Sequence, residues 1–327
     1  MEIRFAPYVL RSRGSLNAKV SGCERAGALL RVETHEGVGY ADLHPWPELG
    51  DSPLEKQLEA LASGQLTQLT RRSLYMAELD RHARCLGKSA FSELQVPPSH
   101  LLINDLSSVE ERTFEEAKSS GFHALKIKLG RNLEAETNEL ERVAEQLSRF
   151  RLRFDFNGTL HLKTCLDWLS SLPRNLSAAI EFLEDPLPWD REQWRELRAK
   201  GRVALALDRI EEGALFSEGE EETFDFLVLK PAVQDAEVLA REVKRPLVVT
   251  SYMDHPVGQV GAALMAARIY VSEGERLSDC GLLTHTCYEP NKYSEALSVA
   301  DAKLIPPPGA GIGFDELLER EDWKKLK

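Results

Sequence analysis

From about residue 99 onward, short apolar runs alternate with longer amphipathic ones. The runs are HLLIND, ALKIKLG, RLRFDFNG, AIEFLEDP, VALALD, FDFLVLKP, PLVVTSY and CGLLTHT. Their length and β-branched or aromatic content predict strands. Between several of them the apolar spacing becomes helical, as at Leu133, Leu140, Val143, Leu147 and Phe150. Further helices are expected over Leu162–Leu172, Ala236–Lys244 and Gln259–Ser272. Eight strands alternating with helices predict an α/β fold, a modified (β/α) TIM-type barrel, with a doubly wound open sheet as the alternative.

The flanks read differently. GALLRVET and VGYADLH are strand-like, SLYMAELDRHARCL is helical, and the tail LIPPPGAGIGFDELLE is Pro- and Gly-rich before turning helical. This predicts an α+β capping domain over 1–95, completed by the tail 303–327, with the barrel over 96–302. No solenoid repeat or low-complexity segment interrupts the pattern.

The polar positions of the barrel strands carry a second pattern. In HALKIKLG, the period of two puts Leu125, Ile127 and Leu129 on one face and Lys126 and Lys128 on the other. Asp155 and Asn157 follow Arg153 in phase, Glu184 follows Ile180 and Phe182, Asp208 follows Ala204 and Ala206, and Lys230 follows Val228. From Lys128 the successive gaps are 27, 29, 24 and 22 residues, each close to one strand–helix unit. Five consecutive strands therefore deliver an ionisable group to their C-terminal end, where such barrels do chemistry. One charged strand end alone reads as a solvated loop residue, and Asp185 is taken that way. Glu181, on the other phase, is expected to face a helix.

Three carboxylates in one lumen repel unless a cation compensates them. Asp155, Glu184 and Asp208 are hard oxygen donors with no His or Cys at ligand spacing, which favours Mg²⁺, or Mn²⁺ as a substitute, over zinc. Lys128 and Lys230, four strands apart in a ring of eight, should face each other across the mouth. A lysine acts as a base near neutral pH only if its pKa falls from about 10.4 by roughly 2–3 units. Lys126, a like charge on the same face, pushes Lys128 that way; its plain alternative role is to pair with a carboxylate.

Composition narrows the function classes. The 327 residues carry a net charge of −12 with no long basic run, which argues against nucleic-acid and anionic-membrane binding. The weakly polar run VGAALMAARIYV contains Arg268 and is too short to span a bilayer. MEIRFAPYVLRSRG has no apolar signal core. Five scattered cysteines without a C-x-x-C pair suit a reducing cytoplasm.

The constellation K-x-K, D-x-N, E-D-P, an Asp ending strand five and K-P ending strand six resembles the enolase superfamily, muconate-lactonizing subgroup. RAGALLRVETHEGVGYADLHPWPELGD resembles its capping segment and PPPGAGIGFDEL its closing tail, so the likeness spans nearly the whole chain. The resemblance implies Mg²⁺ held by Asp155, Glu184 and Asp208, and abstraction of a proton α to a carboxylate, as such sites do. It implies Lys128 as base and then acid, and Lys230 holding the enediolate by charge and ring contact. Within the subgroup the chain is most similar to the dehydratases of menaquinone biosynthesis; a racemase or epimerase using both lysines is the alternative.

Three departures stand out. Asp208 is followed by Arg209 where many relatives have Glu, strand seven reads TSYMDHPVG, and strand eight, LLTHTCY, lacks the D-x-D of dipeptide epimerases. The last lowers the epimerase reading. Asn157, Thr250, Ser251 and Asp254 are expected to contact a small-molecule carboxylate, and His285 to be a satisfied structural histidine. RSRGSLNAKVSGCERAG is expected to form a mobile lid, with HPWPELGD touching substrate. A Schiff-base aldolase would not require three converging carboxylates, and an inactive barrel would not require both lysines. The sequence sets no oligomeric state.

Overall fold

The computed structural model describes residues 1–14, 16, 24–208 and 222–327. The N-terminal strands β1 (Glu2–Arg11), β2 (Glu24–Thr34) and β3 (Gly37–Leu43) form an antiparallel sheet, followed by α1 (Leu54–Ser63) and α2 (Gln68–Cys85). Alternation sets the packing face of β2: Ala28, Leu30 and Val32 belong to one apolar cluster with Leu43, Trp46, Leu61 and Leu69. The Thr67 side chain caps α2 by accepting from Thr70 N–H.

The second unit begins with β4 (Leu101–Ile103) and α3 (Glu111–Ser119). It continues through β5 (Ala124–Lys128), α4 (Leu133–Arg142), α5 (Ala144–Leu147), β6 (Arg151–Asp155), α6 (Leu162–Ser171) and α7 (Arg174–Ala179). Then come β7 (Ile180–Glu184), α8 (Arg191–Gly201), β8 (Leu205–Asp208), β9 (Phe226–Leu229), α9 (Ala236–Glu242), β10 (Leu247–Val249) and α10 (Pro256–Glu273). The helix expected over 133–150 is thus two, broken at Val143, whose φ of −113° and ψ of 23° leave the helical range. Asn132, Asp190 and Asp235 cap α4, α8 and α9 with their side chains.

The seven strands form one parallel sheet in the order β10-β9-β8-β7-β6-β5-β4. That unbroken succession excludes the doubly wound alternative, whose order reverses at a switch point. The expected eighth strand, CGLLTHT, is not a ladder strand. It closes the ring by isolated parallel bridges, Thr250↔Gly281 on the β10 side and Ser99↔Cys280 on the β4 side. Gly281 allows this approach, because a Cβ there would meet Thr250 Cγ2 at 2.8 Å and the His100 ring at 3.0 Å.

Strand phase divides the interior. Leu125, Ile127, Phe154, Leu183, Leu207, Leu229 and Val249 join the large helix-facing core. Phe182, Ala206, Val228 and Val248 form a separate plug, as the opposite phase requires. Beyond α10, β11 (Ser298–Ala300) and β12 (Lys303–Ile305) make a small ribbon, α11 (Asp315–Glu319) follows, and β13 (Lys324–Lys325) pairs with β1. The tail is also held by Asp80 of α2. Its buried carboxylate accepts from Ile312 N (2.7 Å), Tyr40 N (2.8 Å) and Arg84 Nε (2.7 Å).

Candidate active site

Strand register aligns the site. Lys128 is the partner of Asp155, Asp155 of Glu184, and Glu184 of Ala206, so three ionisable residues form one row across β5, β6 and β7. Asp208 lies two residues beyond Ala206 and pairs with Val228, and Lys230 lies two residues beyond that. The charged groups therefore climb in a spiral around the mouth.

They surround a cavity of ≈ 290 Å³. Its wall includes Lys126, Lys128, Asp155, Asn157, Asp208 and Lys230, and, from the β10 side, Thr250 and Ser251. Trp46, Glu48 and Leu49 of the segment HPWPELGD roof it. Trp46 is fixed there by donating from Nε1 to Tyr252 O (2.8 Å) and by stacking beneath the Arg25 guanidinium, 4.4 Å from its ring. Arg25 in turn pairs with Glu48 at 2.6 Å. Residues 15 and 17–23 of the expected lid, and Arg209, lie outside the described residues.

The lysines and carboxylates compensate one another. Lys126 Nζ lies 2.6 Å from Glu184 Oε1 and 3.1 Å from Asp155 Oδ2; Lys128 Nζ lies 3.4 Å from Asp155 Oδ2; Lys230 pairs with Asp208. Burial disfavours charge on Lys126, but Asp155 and Glu184 outweigh it and hold its pKa above the usual lysine range. Lys128 goes the other way. Burial pushes it down, Asp155 resists, and the like charges of Lys126 and Lys230 add to the fall. Asp155 is drawn below the usual carboxylate range by Lys126 and Lys128 against the effect of burial. Burial, opposed by Lys126 and reinforced by Asp155 and Asp208, lifts Glu184 to about 7.

Several positions differ from the reading of the strands. Glu184 is not on the cavity wall; it is 1% exposed and sits behind Lys126. Asp185 takes a place on the wall. It is not a solvated loop residue: its φ of +40° turns the side chain inward, where Oδ1 accepts from Asp208 N (3.0 Å). Burial and the charge of Asp208 raise its pKa well above the carboxylate range. Glu181, expected to face a helix, forms ion pairs with two arginines of β6. A register shift leaves it unpaired between Ile180 and Phe182, and its carboxylate reaches Arg151 and Arg153. Asp254 does not line this cavity; the turn at Met253, φ +50°, carries it to a smaller one behind the mouth. His285 is held by Gln259 through its ring and its N–H.

His100 was not singled out by charge pattern, yet it lines the cavity floor and is held at 2.9 Å by the fully buried Arg153. Its signal was phase, because it precedes Leu102 by two residues in HLLIND.

The donor types suit a hard divalent cation, and Asp208 Oδ1 is buried with no hydrogen-bond partner among the described residues. Among the described residues no three His, Cys, Asp or Glu side chains are gathered in metal-binding geometry. Lys126 pairs with Asp155 and Glu184, and Lys230 with Asp208.

A parallel ring with acids and lysines at its C-terminal mouth, under an antiparallel cap, defines the enolase class of barrel proteins. Residues 109–214 match the enolase C-terminal domain-like family, and residues 3–83 match the o-succinylbenzoate synthase N-terminal domain. The chain belongs to the o-succinylbenzoate synthase family of the enolase superfamily. It is 35% identical to an o-succinylbenzoate synthase from Bdellovibrio bacteriovorus over 100% of this chain and 99% of the relative. Among solved structures, the muconate lactonizing enzyme from Pseudomonas fluorescens, complexed with muconolactone, has a TM-score of 0.73 at 14% identity and 97% coverage of each chain. A dipeptide epimerase from Cytophaga hutchinsonii, complexed with Mg and D-Ala-L-Val, has a TM-score of 0.73 at 15% identity, covering 100% of this chain and 99% of its own. No helix among the described residues is long and apolar enough to cross a membrane.

Proposed function

We propose that the chain is an o-succinylbenzoate synthase, a hydro-lyase of menaquinone biosynthesis that acts in the cytoplasm on a hydroxy-cyclohexadiene carboxylate. The observation that carries this reading is the end-to-end likeness to the Bdellovibrio synthase. In this reading 1–95 with 303–327 caps a catalytic barrel of 96–302.

Asp155, Glu184 and Asp208 would hold Mg²⁺, with Mn²⁺ as a substitute. When bound, the ion supplies Lewis-acid stabilisation of negative charge developing on the substrate carboxylate. Lys128 Nζ takes the proton α to that carboxylate and returns it to the departing hydroxyl. The C–H and C–O bonds break, a C=C bond forms and one water leaves. Lys230, reaching the mouth from the far side of the ring, offsets the charge while the proton is on Lys128. Lys126 keeps a positive charge beside Lys128, which favours the free amine there. Asn157, Thr250 and Ser251 orient the substrate, while Trp46 and Leu49 exclude water from above.

A paired assay tests the assignment: loss of water from the cyclohexadiene substrate, and racemisation of an N-succinylamino acid, each with and without EDTA. EDTA-sensitive dehydration is the expected result. Racemisation without dehydration would replace this reading with the two-lysine racemase.

A further inference from the structure

Behind the mouth, two carboxyl groups distant in sequence come together. Asp42 lies near the end of β3, and Asp254, 2% exposed, lies between β10 and α10. Gly258, in the first turn of α10, leaves the space between them: a Cβ there would stand 2.6 Å from Oδ2 of each. Asp42 Oδ1 accepts from the Tyr8 hydroxyl (2.6 Å), and Oδ2 accepts from His255 N (3.1 Å). Asp254 Oδ1 is buried with no hydrogen-bond partner among the described residues. Both residues line a cavity of ≈ 30 Å³ together with His44, whose Nε2 is likewise unpartnered there, and Arg72.

No cation is bonded to either carboxyl among the described residues. Arg72, the guanidinium on α2, is turned to Pro231 O (3.2 Å) and Asp235 (3.4 Å). The remaining titratable groups facing the pair are Tyr8 from β1, His44 after β3, His255 at the start of α10, and Tyr288; Lys292 stands behind His255. Two full negative charges so placed, away from water, repel strongly, and one shared proton removes the repulsion.

The same two chain segments meet again beside the catalytic cavity. Trp46 follows Asp42 by four residues and Tyr252 precedes Asp254 by two; Trp46 Nε1 donates to Tyr252 O, and Trp46 N and the Tyr252 hydroxyl both donate to Asp51 Oδ2 at 2.8 Å. We propose that Asp42 and Asp254 hold one proton between them and act as a positioning pair, fastening the Trp46–Leu49 roof of the catalytic cavity to its Tyr252–Met253 rim. Burial raises both carboxyls, with the charge of Asp254 adding to the rise at Asp42, and Asp254 stands at about 7. A carboxyl raised on folding gives stability that is complete below its unfolded pKa, about 4, and is lost as pH rises through the folded value.

The test uses the full chain with ¹³Cγ-labelled aspartate, alongside Asp42→Asn and Asp254→Asn. One aspartyl carboxyl signal should remain protonated at pH 6, titrate near 7 and disappear in both variants. Between pH 5 and 8 the unmodified chain should lose at least tenfold in its folding equilibrium relative to either Asn variant. Asp254→Ala should raise KM about tenfold at pH 7 with kcat within threefold, and Asp254→Asn should restore KM. This kinetic arm rests on the dehydratase reading; the carboxyl titration and the stability slopes do not. The shared proton is overturned if no variant-sensitive carboxyl titrates above pH 5, or if all three stability profiles run parallel. An unchanged KM in a folded Asp254→Ala chain overturns the positioning role.

Discussion

Lys126 on β5 reaches past β6 to bond Glu184 on β7, 2.6 Å from Nζ to Oε1, while keeping Asp155 within 3.1 Å on the way. One ammonium thus stands where a cation shared by two carboxylates belongs. Its charge, set beside Lys128, adds to the fall that burial causes in that lysine's pKa.

Replacing that ammonium makes its compensation measurable. Lys126→Met leaves Asp155 and Glu184, both buried, short of positive charge, and breaking a buried pair in this way costs about 3–5 kcal/mol. Added Mg²⁺ should then raise the thermal midpoint of the variant by more than it raises that of the parent chain. Equal gains in the two proteins would mean that lysine and metal do not share these carboxylates.

Lys128 makes a weaker contact, 3.4 Å from Asp155. Lys128→Ala should lower kcat by about 10²–10⁴, the usual contribution of a positioned base, while Mg²⁺ still stabilises the fold. An unchanged rate removes Lys128 from the proton transfer; loss of Mg²⁺ stabilisation assigns it to the metal site instead.

His44 gives a pH signature. Burial, with the charge of Arg25 added, pushes its pKa down to about 3. The unfolded chain, with an ordinary value near 6.5, binds the proton more readily, so the stability from neutral His44 is complete above about 6.5 and is lost as pH falls toward 3. Each unit of that difference is worth about 1.4 kcal/mol. His44→Gln should flatten the acid limb of a urea-denaturation profile. Parallel acid limbs for the two proteins would show that His44 is not held neutral.

Asp80 ties the C-terminal segment to α2 through Ile312 N, while also bonding Tyr40 N and Arg84. Asp80→Ala leaves the Ile312 and Tyr40 N–H groups unpaired and takes from Arg84 one of its two carboxylate partners, Asp315 being the other, an expected loss of about 2–5 kcal/mol. Limited proteolysis should cut first between residues 305 and 315. Cutting elsewhere at an unchanged rate would place the tail's anchorage in the β1–β13 pairing.

The alternation of apolar runs was enough to reveal the ring, and the polar phase was enough to bring Lys126, Lys128, Asp155, Asp208 and Lys230 to one mouth, because both follow from the two-residue period of a strand. What the period misses is where it breaks. Glu181 sits at a register shift, Asp185 itself has a positive φ, and Asp254 follows Met253, which has one, so their side chains depart from the alternation. The eighth strand was misread because Gly281 and Cys280 are held by bridges to both neighbours without a ladder, which no local pattern reports. The pairing of Asp42 with Asp254 spans over two hundred residues and left no mark in either segment.

That closing stave also fixes the order in which the molecule can be finished. His100 N and Cys280 N are bonded across the seam, to Cys280 O and Pro98 O, and Gly281 N to Val249 O, all within 2.8 Å. A ribosome therefore releases every acid and lysine of the mouth well before the segment that encloses them. Without the bridges at Cys280 and Gly281 the seven-stranded sheet would have two free edges facing each other across a gap, with the charged mouth and the apolar plug open along that side.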